Sequence, residues 1–545
     1  MKYIICGKNR VAKDFMYMFE NLDILGIVDD VDLAIEDNAH DQIILCDFDK
    51  TEKEKRLQQR GMAYGKDYVY EEDFFGFLDP VMLPKDRKLA VWGTGNMCQF
   101  LLKHKLPKKP EAFIDSFKRS ESHTGIPIIH PDEVQDWSQY FIIVAVTKDE
   151  EIREKLLLLG LMENRDFIGY KCILEFPSVL LRQTIFDRSY YDLDCNTMRN
   201  HLEILSNGDT RSCCTTFVSQ SLDNIFDKER DEVWHSVLHK ILCLSTENKT
   251  FHFCDKSMCP LFVAKKREDC VDMPVEDRPY KPIAPFPETL ALGYDSSCNL
   301  ACITCRKEVH FAKGNELEVV NKIADKVITD YLAHCKFLIL AGSGEVFASP
   351  SYRSIYEAET CNPQYIRLLS NGLLFTPVNW EKFKKANHAK IMLTVSVDAA
   401  SEETYRRIRG GNFNVLKQNM KFASELRRKG ELSYFRMNFV VQRENYKEMP
   451  DFVRWGQELG VDEVFFTKIL NWGTYTPEEF EQVSMMQKDG ITPKPELEEL
   501  LEQSVMKSDI VDLGTIQFGH KVDDIDIVEN YYMWELEKRG GKLFS

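Results

Sequence analysis

The sequence has no long apolar run, and we expect neither a membrane-spanning segment nor a secretory leader. It has no run of about 18 or more apolar residues, the length that a helix needs to cross a bilayer. Its first residues, Met1–Cys6, lack the long apolar region and the small-residue cleavage site of a signal peptide. We therefore expect a cytoplasmic protein that does not contact a membrane.

Clusters of positive charge are also lacking. The 70 Lys and Arg residues are outnumbered by 87 Asp and Glu residues, and the formal net charge is −17. Binding to a nucleic-acid backbone needs clustered Lys and Arg. This composition argues against a nucleic acid as partner, although one basic pocket could still hold a nucleotide phosphate.

Cysteine, in contrast, is abundant. Ten of the 16 cysteines lie between Cys195 and Cys305. In a reducing compartment, such crowding indicates metal or redox chemistry and not disulfides. A length of 545 residues is too great for one core, so we expect several domains.

Cys298, Cys302 and Cys305 form a C-x3-C-x2-C motif shortly after the apolar run Thr289–Tyr294. Three thiolates on one short loop can hold three irons of a cubane [4Fe-4S] cluster, and the fourth iron then has no protein ligand. Such an iron can bind and reduce another molecule. The spacing also fits the apolar face of a helix or a zinc site with His310 as fourth ligand.

This motif and those downstream resemble radical SAM enzymes. The resemblance implies that S-adenosylmethionine (SAM) chelates the open iron and is cleaved reductively. The resulting 5′-deoxyadenosyl radical then abstracts a hydrogen atom from a substrate in a closed, dry cavity. An electron donor such as flavodoxin or ferredoxin is also implied. Many members have an aromatic residue before the third cysteine, where this chain has Thr304.

Residues 286–470 alternate apolar β-type runs with helical patterns, which indicates parallel strands joined by crossover helices. Six strands fall short of an eight-stranded barrel, which agrees with the open partial barrel of the resembled family. We therefore predict an α/β fold with a partial (β/α)6 radical SAM barrel. The expected strands are Leu290–Gly293, Phe337–Leu340, Ile366–Leu369, Ile391–Val397, Phe435–Val441 and Val464–Phe466.

Polar residues recur where these strands end. Gly342, Gly344 and Glu345 resemble the family's Gly-Gly-Glu-Pro motif, although Ser343 interrupts the glycine pair and Val346 replaces the proline. The motif's glycines let the backbone approach the amino group of SAM. The resemblance thus places this segment at the bound SAM.

The third, fourth and fifth expected strands also have polar residues at or near their ends. Asn371 lies in a Ser-Asn-Gly sequence that resembles the family's Thr-Asn-Gly, and Ser396 and Asp398 resemble its Ser-x-Asp, whose hydroxyl faces the ribose. Arg436 and Asn438 have the spacing of one strand face. The resemblance assigns Asn371, Ser396 and Asp398 to SAM binding. Arg436 and Asn438 are added to this set because a charged side chain that faces inward in a strand needs a partner. For Arg406 and Arg407, a helix cap or a surface ion pair is the preferred interpretation.

Residues 176–285 form a cysteine-rich segment. Asn207-Gly208-Asp209 predicts a hairpin turn that returns Cys213 toward the segment after Cys195. The segment resembles SPASM domains, which carry auxiliary [4Fe-4S] clusters and usually follow the barrel, whereas here it precedes it. The resemblance suggests an auxiliary cluster on four thiols, and the chosen ligands are Cys195, Cys213, Cys254 and Cys259.

Other interpretations of this segment stay open. Cys214 and Cys270 are reserve ligands, and four cysteines with this spacing also suit a structural zinc ion. Cys243, inside a helical pattern, is expected to be a core residue.

The first 175 residues repeat one unit, 1–86 and 87–175. Each copy has a β-rich run that ends in a glycine, Gly7 or Gly93, and an aspartate at the same later position, Asp29 or Asp115. This is the layout of a Rossmann-like α/β unit. Because the glycine fingerprint is incomplete, a structural or docking role is favoured over nucleotide binding.

The second copy is similar to Rossmann-like domains appended to sugar-processing enzymes. We therefore expect hydrogen abstraction from a nucleotide-linked or glycan-type sugar, with modification of a ribosomally made peptide as the alternative. A non-catalytic zinc or iron–sulfur docking protein is the competing class. Residues 471–545 are expected to form acidic amphipathic helices that close the side of the barrel.

Overall fold

The computed structural model divides the chain into two compact units, Met1–Asp187 with Met273–Tyr280, and Arg188–Asp272 with Lys281–Ser545. The residues described are 1–36, 39–47, 50–75, 87–95, 98, 102, 109–117, 122–123, 125–146, 150–162, 165–169, 193–218, 220–255, 258–263, 280–471, 474–488, 490 and 492–516.

The first unit begins with a parallel sheet in the order β2-β1-β3-β4. Strand β3 is buried along its whole length, since both faces of a parallel sheet are covered. Its strands are β1 Lys2–Cys6, β2 Asp23–Val28, β3 Gln42–Leu45 and β4 Tyr68–Tyr70. Its helices are α1 Arg10–Met18, α2 Val31–Glu36, α3 Thr51–Gln59 and α4 Glu72–Phe75.

A second sheet in this unit has the order β10-β9-β5-β6-β8-β7, parallel except at the β7–β8 pair. Strands β6-β5-β9-β10 repeat the order of the first sheet, which supports the duplication inferred from spacing. The elements are β5 Lys88–Trp92, β6 Ala112–Ile114, β7 Ser122–His123, β8 Ile126–Ile129, β9 Tyr140–Val144, α5 Glu150–Leu158 and β10 Phe167–Gly169.

The second unit contains a nine-stranded sheet in the order β12-β11-β13-β14-β15-β16-β17-β18-β19, parallel except for β12. The six predicted strands are β13 to β18. The cysteine-rich segment adds β11 and β12 at one edge, and the C-terminal segment adds β19 at the other. The strands are β11 His201–Ile204, β12 Thr210–Arg211, β13 Thr289–Leu292, β14 Phe337–Leu340, β15 Tyr365–Ser370, β16 Lys390–Ser396, β17 Leu432–Val441, β18 Glu463–Lys468 and β19 Val511–Asp512.

Helices connect these strands and cover the outer face of the sheet. Several begin at a side-chain cap directly after a strand-end loop; Ser401, for example, accepts the backbone N–H of Thr404. The helices are α6 Thr197–Asn200, α7 Arg230–Trp234, α8 Val237–Glu247, α9 Pro260–Val263, α10 Gly314–Lys326, α11 Pro350–Glu357, α12 Pro377–Ala386, α13 Glu402–Arg409, α14 Phe413–Arg428, α15 Met449–Leu459, α16 Pro477–Val483 and α17 Pro495–Leu501.

The two faces of the barrel strands differ in burial. In β17, Phe435, Met437 and Phe439 are fully buried toward the helices, whereas Arg436 and Asn438 point to the opposite, partly exposed face. That inner face lines the lumen of the partial barrel, where polar groups can meet a ligand. No helix in the described part of the chain is long and apolar enough to cross a membrane.

Candidate functional site

The loop with the three cysteines follows β13 and is held by backbone hydrogen bonds. Cys298 N donates to His310 O at 2.7 Å, and Ile303 N donates to Ile408 O at 3.0 Å. Cys298 and Cys302 are 8% and 6% exposed, whereas Cys305 is exposed. The cysteines lie in loop and turn conformation, so the alternative of an apolar helix face is wrong.

Each of these sulfurs has a polar neighbour. Asn371 Nδ2 lies 3.8 Å from Cys298 Sγ, and Arg409 Nη1 lies 3.2 Å from Cys302 Sγ. The side chain of Arg306 is hydrogen-bonded to that of Cys305. Two guanidinium groups therefore offset the negative charge of the thiolates, and N–H donors to sulfur suit an iron–sulfur cluster. The donor set fits a [4Fe-4S] group.

His310, the proposed fourth zinc ligand, has another partner. Its backbone pairs with that of Cys298, but its Nε2 lies 2.7 Å from Glu316 Oε1. Within the described ranges, no group of three or more His, Cys, Asp or Glu side chains is placed to hold one metal ion.

Glu345 connects the ends of two strands. It is fully buried, its Oε1 accepts the Ser370 hydroxyl at 2.9 Å, and its Oε2 accepts the Asn371 N–H at 2.7 Å. Burial raises its pKa to about 7, against the lowering effect of these hydrogen bonds. Glu345 therefore positions Asn371 beside Cys298.

Gly342 and Gly344, which shortly precede Glu345 in the chain, differ in their surroundings. A Cβ atom on Gly344 would lie 2.4 Å from Asp295 O and 2.7 Å from Ser297 O, whereas one on Gly342 would meet only Gly293 Cα at 3.7 Å. Gly344 thus permits the close approach of this segment to the cysteine loop. Ser343, the departure from the family motif, donates its hydroxyl to Gly293 O at 2.6 Å.

Asp398 and Arg409 form a buried ion pair beside the cysteine loop. Arg409 Nε lies 3.1 Å from Asp398 Oδ2, with side-chain exposures of 12% and 4%. Asp398 has a positive φ of 62°, and its Oδ1 accepts the Val440 N–H at 2.8 Å. Burial raises the pKa of Asp398, although Arg409 and that N–H oppose the shift.

Sequence reasoning did not include Arg409 among the site residues, although the run Thr404–Gly411 resembles a Thr-Tyr…Arg segment of the family, in which an arginine can meet a carboxylate. Gly410 adopts the left-handed conformation at the end of that helix. Arg407, in contrast, is 53% exposed and lies 3.4 Å from Glu444. The preferred interpretation of Arg407 as a surface ion pair is confirmed.

Ser396 pairs in register with Asn438, and Thr394 pairs with Arg436. Arg436 Nε donates to Asn438 Oδ1 at 2.8 Å, which confirms that the two side chains share a face. Arg436 Nη1 also lies 3.6 Å from Glu463 Oε1. Ser396 and Asn438 are therefore nearer the C-terminal strand ends than Arg436.

Four other thiols of the cysteine-rich segment lie near enough to Cys213 to affect its pKa. Burial raises the pKa of Cys213, with further contributions from the nearby thiols of Cys214, Cys254, Cys259 and Cys195. Cys195, Cys213, Cys254 and Cys259 are the four ligands chosen from the sequence, and Cys214 is a reserve ligand. The Cys214 sulfur lies 3.1 Å from the hydroxyl of Thr216.

The cysteine-rich segment contains two further cysteines, Cys243 and Cys270. Cys243 lies in α8 and is fully buried, as expected of a core residue. Cys270 falls outside the described residues.

A cavity of about 480 Å³ lies between this segment and the end of the barrel. Phe217 and Met258 line it from the cysteine-rich side, and Phe465, Thr467 and Asp512 line it from the strands. Its size is typical of a pocket for a small molecule or for one large side chain.

The predicted nucleotide-binding features of the first unit have internal partners. A Cβ atom on Gly7 would lie 2.0 Å from Cys46 O, so this glycine permits close packing of two strand ends. Asp115 accepts the hydroxyl of Thr94 at 2.5 Å. These contacts give Gly7 and Asp115 structural roles, which the sequence analysis favoured, and nucleotide binding stays the less favoured alternative.

Comparison with known proteins adds two family matches. Residues 296–456 match the radical SAM superfamily, and residues 195–260 match SPASM, an iron–sulfur cluster-binding domain. The SPASM match confirms that this domain precedes the barrel. A probable GTP 3′,8-cyclase of Methanococcus aeolicus is 25% identical over 177 residues, which are 32% of this chain and 57% of the relative. The chain thus spans little more than half of that relative.

Among solved structures, Streptococcus suis SuiB bound to its precursor peptide SuiA has 15% identity and a TM-score of 0.30, over 45% of this chain and 51% of that one. Native anSMEcpe with bound AdoMet has 19% identity and a TM-score of 0.26, over 34% of this chain and 52% of that one.

The radical SAM domain implies a [4Fe-4S] cluster and SAM as cofactors, and the SPASM domain suggests an auxiliary iron–sulfur cluster. Residues 296–456 thus form a domain of the radical SAM superfamily, and a SPASM domain at residues 195–260 precedes it.

Proposed function

We propose that Cys298, Cys302 and Cys305 hold a [4Fe-4S] cluster at which SAM is cleaved reductively. The cluster supplies an open iron that binds SAM and the electron that breaks a C–S bond. With SAM bound there, this site would supply a radical that abstracts a hydrogen atom from a substrate in the cavity between the barrel and the SPASM domain. The contact of Arg409 with Cys302, 3.2 Å from Nη1 to Sγ, is the observation that carries this proposal.

The residues proposed to hold SAM lie on β16 and β17 and in the segments that follow β14, β15 and β16. Gly342 leaves the backbone accessible, because a Cβ there would meet only one atom within 4 Å, at 3.7 Å. Ser396 and Asn438 are neighbours on adjacent strands, and their polar groups suit a ribose. The full set predicted from the resemblance is Gly342, Gly344, Glu345, Asn371, Ser396, Asp398, Arg436 and Asn438.

We propose an auxiliary [4Fe-4S] cluster on Cys195, Cys213, Cys254 and Cys259, with Cys214 in reserve. Cys195, Cys254 and Cys259 each interact electrostatically with Cys213, and β11 and β12 attach this region to the barrel sheet. The auxiliary cluster would take an electron from the substrate radical or brace the domain.

The substrate class has two candidates. A nucleotide-linked or glycan-type sugar is proposed from the repeated α/β units, and a ribosomally made peptide is the alternative. A cavity of about 480 Å³ has room for a monosaccharide or for one peptide side chain. An electron donor such as flavodoxin or ferredoxin and a cytoplasmic location complete the proposal.

The proposal that this protein is a SAM-cleaving enzyme is tested first, by anaerobic purification followed by analysis of iron and sulfide. Two clusters give about eight irons per chain, and reduction with SAM must yield 5′-deoxyadenosine. Stoichiometric zinc without SAM cleavage would instead support the non-catalytic docking protein.

The substrate class needs a separate assay. Candidate sugars and peptides made with deuterium at carbon-bound positions are incubated with the reduced enzyme. Deuterium in 5′-deoxyadenosine identifies the class, because the abstracted atom is transferred to that product.

A further inference from the structure

The cavity of about 480 Å³ has walls from two parts of the second unit. Twelve of the described residues line it. Four belong to the SPASM domain, and eight lie on β17, β18 and β19 or directly after β18 and β19. Half of the twelve are apolar, and both parts of the wall contribute to them: Phe217, Met258, Pro260, Val440, Phe465 and Leu470.

The polar side chains on the barrel side of the cavity bond to other groups of the protein. Thr467 Oγ1 lies 2.8 Å from Thr515 Oγ1, and Thr515 Oγ1 also accepts the backbone N–H of Lys468 at 3.1 Å. Lys468 Nζ donates to Gly490 O at 2.8 Å. Two hydroxyl groups and one ammonium group of the wall are therefore already engaged within the protein.

The remaining polar side chains of the wall have protein partners too. Asp512 Oδ1 accepts the Gly514 N–H at 2.8 Å, and the carboxyl of Asp512 is hydrogen-bonded to that of Glu463. The hydroxyl of Thr216 lies 3.1 Å from Cys214 Sγ. The hydroxyl groups of a sugar would have to compete with these partners, and a buried hydroxyl without a partner is unfavourable.

The cavity adjoins residues that are proposed to hold SAM. Val440, which lines the cavity, is two residues beyond Asn438 on the same face of β17. The backbone N–H of Val440 donates to Asp398 Oδ1 at 2.8 Å. A group that fills the cavity would therefore lie beside the proposed SAM site, where the hydrogen atom is abstracted.

The apolar residues of the wall are held in place. On the SPASM side, Asp255 N donates to Phe217 O at 2.7 Å, and Met258 N donates to Asp255 O at 3.2 Å. On the barrel side, the centre of the Phe465 ring lies 3.7 Å from Arg436 Cζ. Walls that are already ordered lose little conformational entropy when a ligand enters.

We infer that Phe217 and Met258 of the SPASM domain, together with Phe465 of the barrel, select the substrate by an apolar side chain, aromatic or large aliphatic, that fills the cavity. Burial of such a side chain removes apolar surface from water on both partners. Phenyl rings and a thioether also make favourable contacts with an aromatic ring. This inference rests on the proposed function, and of its two substrate classes it favours the peptide.

The probes are N-acetylphenylalaninamide, N-acetylalaninamide and glucose, each titrated calorimetrically into the reconstituted holoenzyme with saturating SAM. The two amides share a peptide-like backbone and differ only in the phenyl ring. The phenylalanine probe should bind roughly tenfold or more tightly than the alanine probe, because the ring buries additional apolar area. Glucose should bind more weakly than the phenylalanine probe.

Two variants test the wall itself. Phe217→Ala should weaken binding of the phenylalanine probe roughly tenfold, since it removes most of one apolar surface. Met258→Gln keeps the length of the side chain but makes it polar, and it should weaken binding as well. Phe226→Ala is the matched control, because Phe226 belongs to the same domain, is 42% exposed and is not among the residues that line the cavity. Its affinity should equal that of the wild type.

Tighter binding of glucose than of the phenylalanine probe would overturn the inference. So would equal affinities for the two amides, or equal weakening in Phe226→Ala. Iron content is measured on each variant to show that the domain remains folded. If Phe217→Ala retains less iron than the wild type, Met258→Gln decides, and an unchanged affinity in that variant would overturn the inference.

Iron content and 5′-deoxyadenosine formation are measured on the same wild-type preparation. If these fail, the proposed function fails. If they are normal and the phenylalanine probe does not bind, only the present inference fails.

Discussion

The guanidinium of Arg409 lies 3.2 Å from the sulfur of Cys302, although the two residues are 107 positions apart in the chain. The same side chain reaches the buried carboxylate of Asp398 at 3.1 Å. Arg409 thereby connects the cysteine loop after β13 to the end of β16. The thiolate charge, the strand-end carboxylate and the guanidinium form one electrostatic unit.

Arg409→Gln should disturb this unit in two measurable ways. Leaving Asp398 without its buried partner should lower the free energy of unfolding by about 3 kcal/mol. Removing a positive charge beside Cys302 should make the reduction potential of the cluster more negative, because the reduced form carries the extra negative charge. Denaturant unfolding and a potentiometric titration followed by EPR measure the two effects. Arg407→Gln, on the exposed face of α13, should change neither.

Gly344→Ala should prevent the normal packing of the cysteine loop. The new Cβ would lie 2.4 Å from the backbone oxygen of Asp295, so the loop must move, at a cost of roughly 1–3 kcal/mol. Lower iron retention and a lower melting temperature are expected. The control is Gly342→Ala, where the nearest atom is 3.7 Å away and the fold should be unaffected. Equal destabilisation by the two variants would contradict the packing argument.

Glu345 should make stability depend on pH. Its folded-state pKa of about 7 lies above its usual value of 4.5, so the folded state holds the proton more tightly than the unfolded state. The free energy of unfolding therefore falls as pH rises from about 5 to 7, by about 3 kcal/mol for this group.

Urea unfolding of the apoprotein at several pH values tests this slope. Glu345→Gln cannot ionise, so its stability should decline less over the same range. Glu403→Gln, on the exposed side of α13, should keep the wild-type slope. Parallel profiles for all three proteins would show that Glu345 is not the source.

The two cysteine groups should be separable by iron content. Cys213→Ala should lower iron from about eight to about four per chain while the SAM-binding cluster remains. Cys298→Ala should also remove about four irons, but with the loss of SAM cleavage. Cys243→Ala, in the buried helix α8, should retain the full complement. Iron analysis and EPR of the reduced proteins distinguish these cases.

Much of the barrel could be predicted from local pattern. The apolar runs of β13 to β18 and the helices between them repeat within short windows, and all six strands form where they were expected. Strands β11 and β19 could not be assigned to this sheet, since β19 has only two residues and β11 is far from its partner β13 along the chain. Strand pairing over such distances depends on the assembled core.

Part of the candidate site could be proposed from the sequence. The cysteine motif and the strand-end residues Glu345, Asn371 and Asp398 were identifiable because spacing along one chain is enough to recognise them. Arg409 was not, since nothing near it in the sequence indicates a thiolate partner. The pairing of Arg436 with Glu463 was also missed, because their register is set only when β17 joins β18.

By itself, the sequence determined the spacing of the thiols and the alternation of strands and helices. These are local properties, decided by hydrophobic period and by residue type. Only the tertiary structure decided which charged groups lie close enough to interact. These are Arg409 with Cys302 and Asp398, and Arg367 with Arg436 and Glu463. Electrostatic energy depends on distance and burial in the folded chain, and neither can be read from separation along the sequence.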